Sequence, residues 1–374
     1  MVIKLKSVLF TALAAICLSI VINSCSTDVD LLAPYKSTPV VIGILDYKAD
    51  TQFVRINRTY LGEGDATIYA QIKDSVEYNP SEVEAWLYKK RNGNLQDSIQ
   101  LQYIVKPSRD PGVFYNQDVG FYYTTEELFD TEEVSNITNA ASGNNTPRMS
   151  YELKVVARGE TFTAETDFPN ISNGTIIYPL GGPTPVKLDF YSPSFGSYRT
   201  VNLRYNMSSG TGRYLGVFRM NFDYVTTDGN TVTDQFVDYN LGAQDNSENN
   251  SRVISLGVNG ENWFAFIGPK IKAIPNISQV RIRDVEFRLT GANDILNAYL
   301  KAANPVSEFT PVLTTVSNID NGAIGILGSR TRVARSAQLL DNTVQIMNEG
   351  EYTSAPGLTY CVIDWAGSNY VCNP

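Results

Sequence analysis

The chain has 374 residues, a formal charge of −9, 11% aromatic residues, 18% charged residues and no histidine. Without histidine, Ser-His-Asp and Cys-His catalysis and a histidine-ligated zinc site are excluded, and the usual general base at neutral pH is missing. The acidic balance predicts repulsion from nucleic-acid phosphates and anionic headgroups, so no nucleic-acid partner is expected; with the commonest metal ligand missing, no metal site or cofactor is expected either.

In chain order, Lys4 and Lys6 precede an apolar run from Val8 to Ile22, and Asn23-Ser24-Cys25 follow. Two positive charges, a short apolar core and a small residue before the cut describe a secretory signal peptide over residues 1–24. The run falls short of the about 20 apolar residues that a bilayer span needs. Cys25 resembles the modified cysteine of the bacterial lipobox, which implies a diacylglycerol on its sulfur and a mature chain starting there. The alternative is an ordinary cleaved leader with an incidental cysteine. Asp28 and Asp30 resemble the surface-export signal of Bacteroidetes lipoproteins. A lipid-anchored outer-membrane protein is therefore expected, at the cell surface rather than the periplasmic face. Residues 25–37 are polar, carry Pro34 and read as a tether.

The length predicts two domains at about 150 residues each. Strands are predicted over Pro39–Tyr47, Gln52–Leu61 and Val83–Tyr88, with a short helix over Ala66–Asp74. Asn92-Gly93 predicts a hairpin whose return strand carries Ile99, Leu101, Tyr103 and Val105. Val113–Thr124, Tyr151–Ala157 and Thr161–Phe168 complete an immunoglobulin-like β-sandwich over residues 38–168, with a polar loop over Ser135–Pro147. Residues 169–185, rich in proline and glycine, read as a linker. A larger C-terminal β-sandwich with one short helix is expected over 186–374, so the fold class is mainly β with two tandem sandwiches.

In that second domain, Phe218, Met220, Phe222 and Tyr224 alternate with Arg219, Asn221 and Asp223, and Asp228-Gly229-Asn230 turns the chain back. Val280 and Ile282 share a face, but Val285, Phe287 and Leu289 have the opposite parity, which predicts a β-bulge at Asp284. The one helix is capped by Asn293 or Asp294, carries Ile295, Leu296, Tyr299 and Leu300, and stops at Pro305.

Cys17 leaves with the leader, and Cys25 takes the lipid. Cys361 and Cys372 remain, an even pair in an exported chain, which predicts a disulfide, with two free thiols as the alternative. Asp320-Asn321-Gly322 beside Asn318 reads as a turn before it reads as a cation site. Gly322, Gly325 and Gly328 lack phosphate-loop spacing. Arg330, Arg332 and Arg335, with Arg281 and Arg283, form the one local basic concentration. They suit either an acidic partner surface or a solvated strand face. Glu126, Glu127, Glu132 and Glu133 read as a solvated segment. Asp74-Ser75-Val76 and Asp97-Ser98-Ile99 match the acceptor pattern of Bacteroidetes O-glycosylation, at Ser75 and Ser98.

TQFVRINRTYLGEGDATIYA (Thr51–Ala70), EFRLTGANDILNAY (Glu286–Tyr299) and NIDNGAIGILGSR (Asn318–Arg330) carry a resemblance. The chain is similar to a group of Bacteroidetes lipoproteins of unknown function, the DUF4249-like family. The resemblance implies an outer-membrane lipoprotein encoded beside TonB-dependent receptors, and no activity. Three functions follow as expectations. The first is a non-enzymatic binding or accessory module, partnered with a TonB-dependent transporter and anchored to the membrane by its N-terminal lipid. The second is a structural or adhesive surface protein. The third is a carboxylate-dependent glycan hydrolase, which needs two acidic residues about 5 to 10 Å apart in a cleft.

Overall fold

The computed structural model describes residues 37–60, 65–107, 112–128, 149–171, 173–182, 184–208, 210–246, 253–303, 316–363 and 369–372. The leader, Cys25 and nearly all of the tether lie outside them, as do the loop over Ser135–Pro147, Glu132 and Glu133. The protein is mainly β, 54% strand and 17% helix, as its alternating runs require.

β1 (Pro39–Asp46) and β2 (Gln52–Arg58) pair as a hairpin. Helices α1 (Ala66–Ala70) and α2 (Lys73–Val76) replace the single helix predicted there. β3 (Val83–Arg91) turns at Asn92 and Gly93, whose φ of 51° and 79° a tight hairpin demands, into β4 (Asn94–Gln100). β5 (Gln102–Lys106), β6 (Val119–Thr124), β7 (Met149–Ala157) and β8 (Glu160–Asp167) follow. The return strand predicted through Ile99 and Val105 is thus two strands. β4 pairs with β3, whereas β5 pairs with β6 in the other sheet. Leu101 is the pivot, and because Ile99 and Leu101 are both buried, the alternation hides the switch.

The strand orders β1-β2-β6-β5 and β4-β3-β7-β8 face one another. Lettered along the chain, these are A-B-E-D and C′-C-F-G, an immunoglobulin-type arrangement. Val41, Val54 and Ile56 from one sheet meet Leu87, Leu153 and Phe162 from the other in the first core.

The remaining strands are β9 (Ile176–Tyr178), β10 (Lys187–Leu188), β11 (Tyr191–Ser192), β12 (Ser197–Tyr198), β13 (Thr200–Asn206), β14 (Arg213–Thr226), β15 (Thr231–Asp245), β16 (Val253–Asn259), β17 (Ile277–Ala292), β18 (Ile324–Leu339), β19 (Thr359–Ile363) and β20 (Tyr370–Val371). Three longer helices interleave: α3 (Gly260–Lys272), α4 (Asp294–Ala303) and α5 (Asp341–Glu349). The second core packs the inner faces of β14 and β17 (Phe218, Met220, Val285, Phe287) against the sheet β16-β13-β9 and the buried side of α3. The expected bulge is present. Asn221 pairs with Asp284 and Phe222 with Ile282, so Arg283 is the extra residue and both apolar runs reach the core.

α4 is the helix predicted, and Asn293 caps it, its Oδ1 accepting from the Leu296 amide at 3.0 Å. α3 and α5 were not expected from the sequence. The aromatic run Trp263, Phe264 and Phe266 favours strands, and Pro269 argues against a helix. Burial wins. Trp263, Phe264, Ile267 and Ile271 form one buried stripe, and Asn259 caps it, accepting from Asn262 N at 3.0 Å. In α5 the stripe is Thr343, Val344 and Met347.

The linker expected over 169–185 coincides with the change of core, yet the sheets do not stop there. β1 pairs in parallel with β18, from Val40↔Ile324 to Asp46↔Arg330. The sheet therefore continues from the first sandwich through β18 into β17, β14 and β15, with eleven strands in all. β18 serves both cores: Leu327 packs in the first, Val333 and Ala337 in the second. Residues 38–374 form one compact unit. The turn before β18 also grips β8. Asn321 Nδ2 donates to Thr161 O at 2.8 Å, and Asn318 Nδ2 donates to Glu165 O at 3.1 Å. Asn318→Ala is expected to cost about 2 kcal/mol, because it takes the acceptor from Leu327 N and this donor from the Glu165 and Leu327 carbonyls; urea unfolding checks this.

Candidate functional site

Period-two alternation decides which side chains reach the outer face of the eleven-stranded sheet. On β18, Val333 and Ala337 point to the core, so Arg330, Arg332 and Ala334 point outward. Strand register adds neighbours: Thr290 lies opposite Arg332 and Arg288 opposite Ala334 on β17. On β14, Val217 lies opposite Arg288, and Arg219 faces Asp238 of β15. Lys48, from the turn after β1, completes the rim. All of these but Arg330 line a cleft of about 540 Å³.

The arginines are held by fixed partners. The Asp46 side chain is only 3% exposed; it accepts from Arg330 Nε at 2.8 Å and pairs with Arg332 Nη2 at 3.1 Å. Gln52 fixes the Asp46 backbone, accepting from its amide at 3.0 Å and donating to its carbonyl at 2.8 Å. Beside it, burial first and the Asp46 charge second push the Tyr47 phenol up to about 12, against the opposing pull of Arg332. Arg219 grips Asp238 through two hydrogen bonds of 2.6 and 2.7 Å and stacks 3.6 Å over the Phe236 ring. Arg288 meets Glu286 only at 3.7 Å, beyond hydrogen-bond length. Asp46→Ala is expected to cost about 2 kcal/mol, the loss expected on breaking a buried pair, reduced because both guanidiniums are half exposed. Denaturant unfolding measures it.

The basic concentration seen in the sequence is thus divided. Arg332 joins the cleft, and Arg330 lies beside it on the shared Asp46 carboxylate. Arg335, of opposite parity, lies against Gly181 on the inner side of β18. Arg283 pairs with Asp234 at 2.6 Å, and Arg281 Nε donates to Gln279 at 2.6 Å, both near the far end of β17. Lys48, Arg219 and Arg288 had no local signal, since they come from three separate segments. Their joining depends on strand order.

Cys361 and Cys372 are bonded, with an S–S distance of 2.19 Å, closing a loop of separation 11. Cys361 is buried on β19. Replacing both with serine is expected to cost about 3 kcal/mol by the chain-entropy estimate, read as a lower thermal midpoint that reductant reproduces in the parent chain. Ser98 is exposed on β4, the edge strand of its sheet; Ser75 is half-buried in α2. Asn321 and Gly322 take φ of 51° and 78°, so Asp320-Asn321-Gly322 is a turn, and the Asp320 carboxylate accepts from Thr163 Oγ1 at 2.7 Å. Glu126 and Glu127 are exposed.

A second cleft, of about 480 Å³, bears on hydrolysis, because Asp74, Glu77, Glu82, Tyr78 and Tyr103 line it. Two of its carboxylates, Glu77 and Glu82, are matched by cations. Arg158 holds Glu82 by hydrogen bonds of 3.1 and 3.2 Å and keeps its carboxyl below the usual range, and Arg55 lies 3.8 Å from Glu77. A glycosidase acid has to keep its proton near neutral pH, the opposite tendency. Among the described residues no group of three or more Cys, Asp or Glu side chains could hold a metal ion, and no helix is long and apolar enough to cross a membrane.

No family model matches the chain, and no curated protein matches it. Among solved structures, the C-terminal domain of the Streptococcus agalactiae AgI/II polypeptide BspA is similar at 8% identity over 81% of this chain and 99% of that one, with a TM-score of 0.11. A superposition that poor carries no argument about fold or function.

Proposed function

We propose that this protein is an exported lipoprotein of the DUF4249-like group. In this reading Cys25 anchors it to the outer membrane, displayed at the cell surface, as a non-enzymatic binding or accessory module beside a TonB-dependent receptor. The observation that carries the binding role is the outer-face cleft. Its ionisable groups are guanidiniums, an ammonium and paired carboxylates, which hold charge in place and do not shuttle protons. A site on a wide paired sheet is also rigid, which suits recognition. The anchor reading rests on Lys4, Lys6, the apolar run from Val8 to Ile22, and Cys25.

Metabolic labelling with an alkyne fatty acid tests the anchor. The parent chain is expected to take the label and fractionate with outer membranes; Cys25→Ser is expected to lose both. Label retained on Cys25→Ser, or a parent chain recovered in the cytoplasm, overturns the reading. Crosslinking on intact cells followed by a pull-down is expected to recover a β-barrel receptor. Deletion that abolishes cell adhesion, with no receptor recovered, favours the structural or adhesive role instead.

A further inference from the structure

We infer that the arginine cleft on the outer face binds a small organic anion carrying two or more carboxylate or phosphate groups. The cleft lining holds four cations (Lys48, Arg219, Arg288, Arg332), and the carboxylates within it or paired to it are three (Asp46, Asp238, Glu286). That is a local excess of one positive charge on a chain whose formal charge is −9. Concentrated like charge on an acidic protein raises the local concentration of anions.

Two guanidiniums still have donors to give, and one of them is held in place. Arg332 is pinned by buried Asp46 through Nη2, while its Nε is shielded from solvent with no hydrogen-bond partner. Arg288 has its carboxylate contact at 3.7 Å, too long to occupy its donors. Arg332, already ordered by Asp46, loses little entropy on binding. Arg288 and Arg332 are diagonal neighbours on adjacent strands, a relation that sets their stems on the order of 7–8 Å apart. That spacing suits two charged groups on one molecule better than a lone phosphate.

The remaining lining fits this ligand. Val217 and Ala334 make a low floor between the arginines, Thr290 offers a hydroxyl, and Lys48 offers a point charge at the rim. Arg219, already taken by Asp238, adds field without a vacant fork. A volume of about 540 Å³ falls in the range of about 300–1,000 Å³ typical of small-molecule sites. Long polyanions are disfavoured by the acidic surface beyond the cleft.

Titration calorimetry on the full chain at low ionic strength tests this, with citrate, fructose 1,6-bisphosphate and uncharged fructose as probes. Saturable binding of at least one anion and none of fructose is expected, and which anion binds separates a carboxylate source from a phosphate source. Arg288→Ala and Arg332→Ala are each expected to weaken that binding by about tenfold or more, the scale of one charge-assisted contact. Glu286→Gln, which removes the carboxylate beside Arg288, is expected to tighten it. Arg283→Ala, outside the cleft, should leave it unchanged. Circular dichroism and a thermal midpoint on each variant show that it is folded; if an arginine variant unfolds, Glu286→Gln decides alone. The inference is overturned if neither anion saturates, if fructose binds equally well, or if Arg288→Ala and Glu286→Gln both leave the affinity unchanged. It rests on the non-enzymatic reading, and the two fail differently. An anion chemically altered after incubation, followed by NMR, overturns the non-enzymatic reading and leaves the cleft standing. Absence of binding overturns the cleft and leaves the lipid anchor and receptor partnership standing.

Discussion

Gly325→Val is expected to destabilise the protein by about 4 kcal/mol, since it combines backbone strain with overpacking. Gly325 sits at φ +125°, and a Cβ there would lie 1.9 Å from the carbonyl oxygen of Val41. Val41 is its partner in the parallel β1–β18 pairing. The obstructing atom is backbone, so no rotamer change relieves the clash; the strands have to separate. This pairing is also where the first sandwich joins the second, because Leu327 and Ile319 pack into the first core while Val333 packs into the second. Both sandwiches should feel the change. Trp86 lies half-buried on the outer face of β3, in the first sandwich, and Trp263 is buried on α3 in the second core. Urea unfolding followed by fluorescence, with Trp86→Phe and Trp263→Phe backgrounds that each also carry Trp365→Phe so that one indole reports, should show both midpoints falling together. If only the Trp86 signal moves, the two cores are not coupled through β18.

Trp263→Ala is expected to cost about 4 kcal/mol, the usual loss for a fully buried tryptophan. The indole is wholly buried and touches Phe190, Phe218 and Phe264, with ring centroids 4.7, 5.2 and 5.2 Å away. Truncation opens a cavity among rings that β14 and α3 cannot close without leaving the sheet. Trp263→Phe separates packing from polarity. The indole Nε1 is buried with no hydrogen-bond partner, and leaving such a donor unpaired costs about 1–3 kcal/mol. Phenylalanine removes that donor and keeps most of the aromatic contact. Its net cost is therefore expected to be about 1 kcal/mol or less. A loss as large as that of Trp263→Ala would mean the donor is satisfied or that shape alone governs the site.

Much of this molecule is legible along the chain. The absence of histidine removes whole classes of chemistry by count. Alternation in Phe218–Tyr224 yields β14, the parity slip at Asp284 yields the bulge in β17, and Asn92-Gly93 yields the β3–β4 hairpin. Each follows because side-chain periodicity and positive φ are properties of a few neighbouring residues.

Other features belong to the tertiary structure alone. Helix α3 has strand-forming aromatics and an internal proline, and it is a helix because its stripe is buried against β14. Leu101 keeps the alternation intact while the chain changes sheets. The parallel β1–β18 pairing joins segments about 280 residues apart, and no local pattern encodes which distant edge a strand will meet. The cleft has the same origin. Lys48, Arg219, Arg288 and Arg332 become neighbours only through the order β15-β14-β17-β18-β1. Charge at one position is written in the sequence, but a field is a sum over distance, and the fold sets the distances.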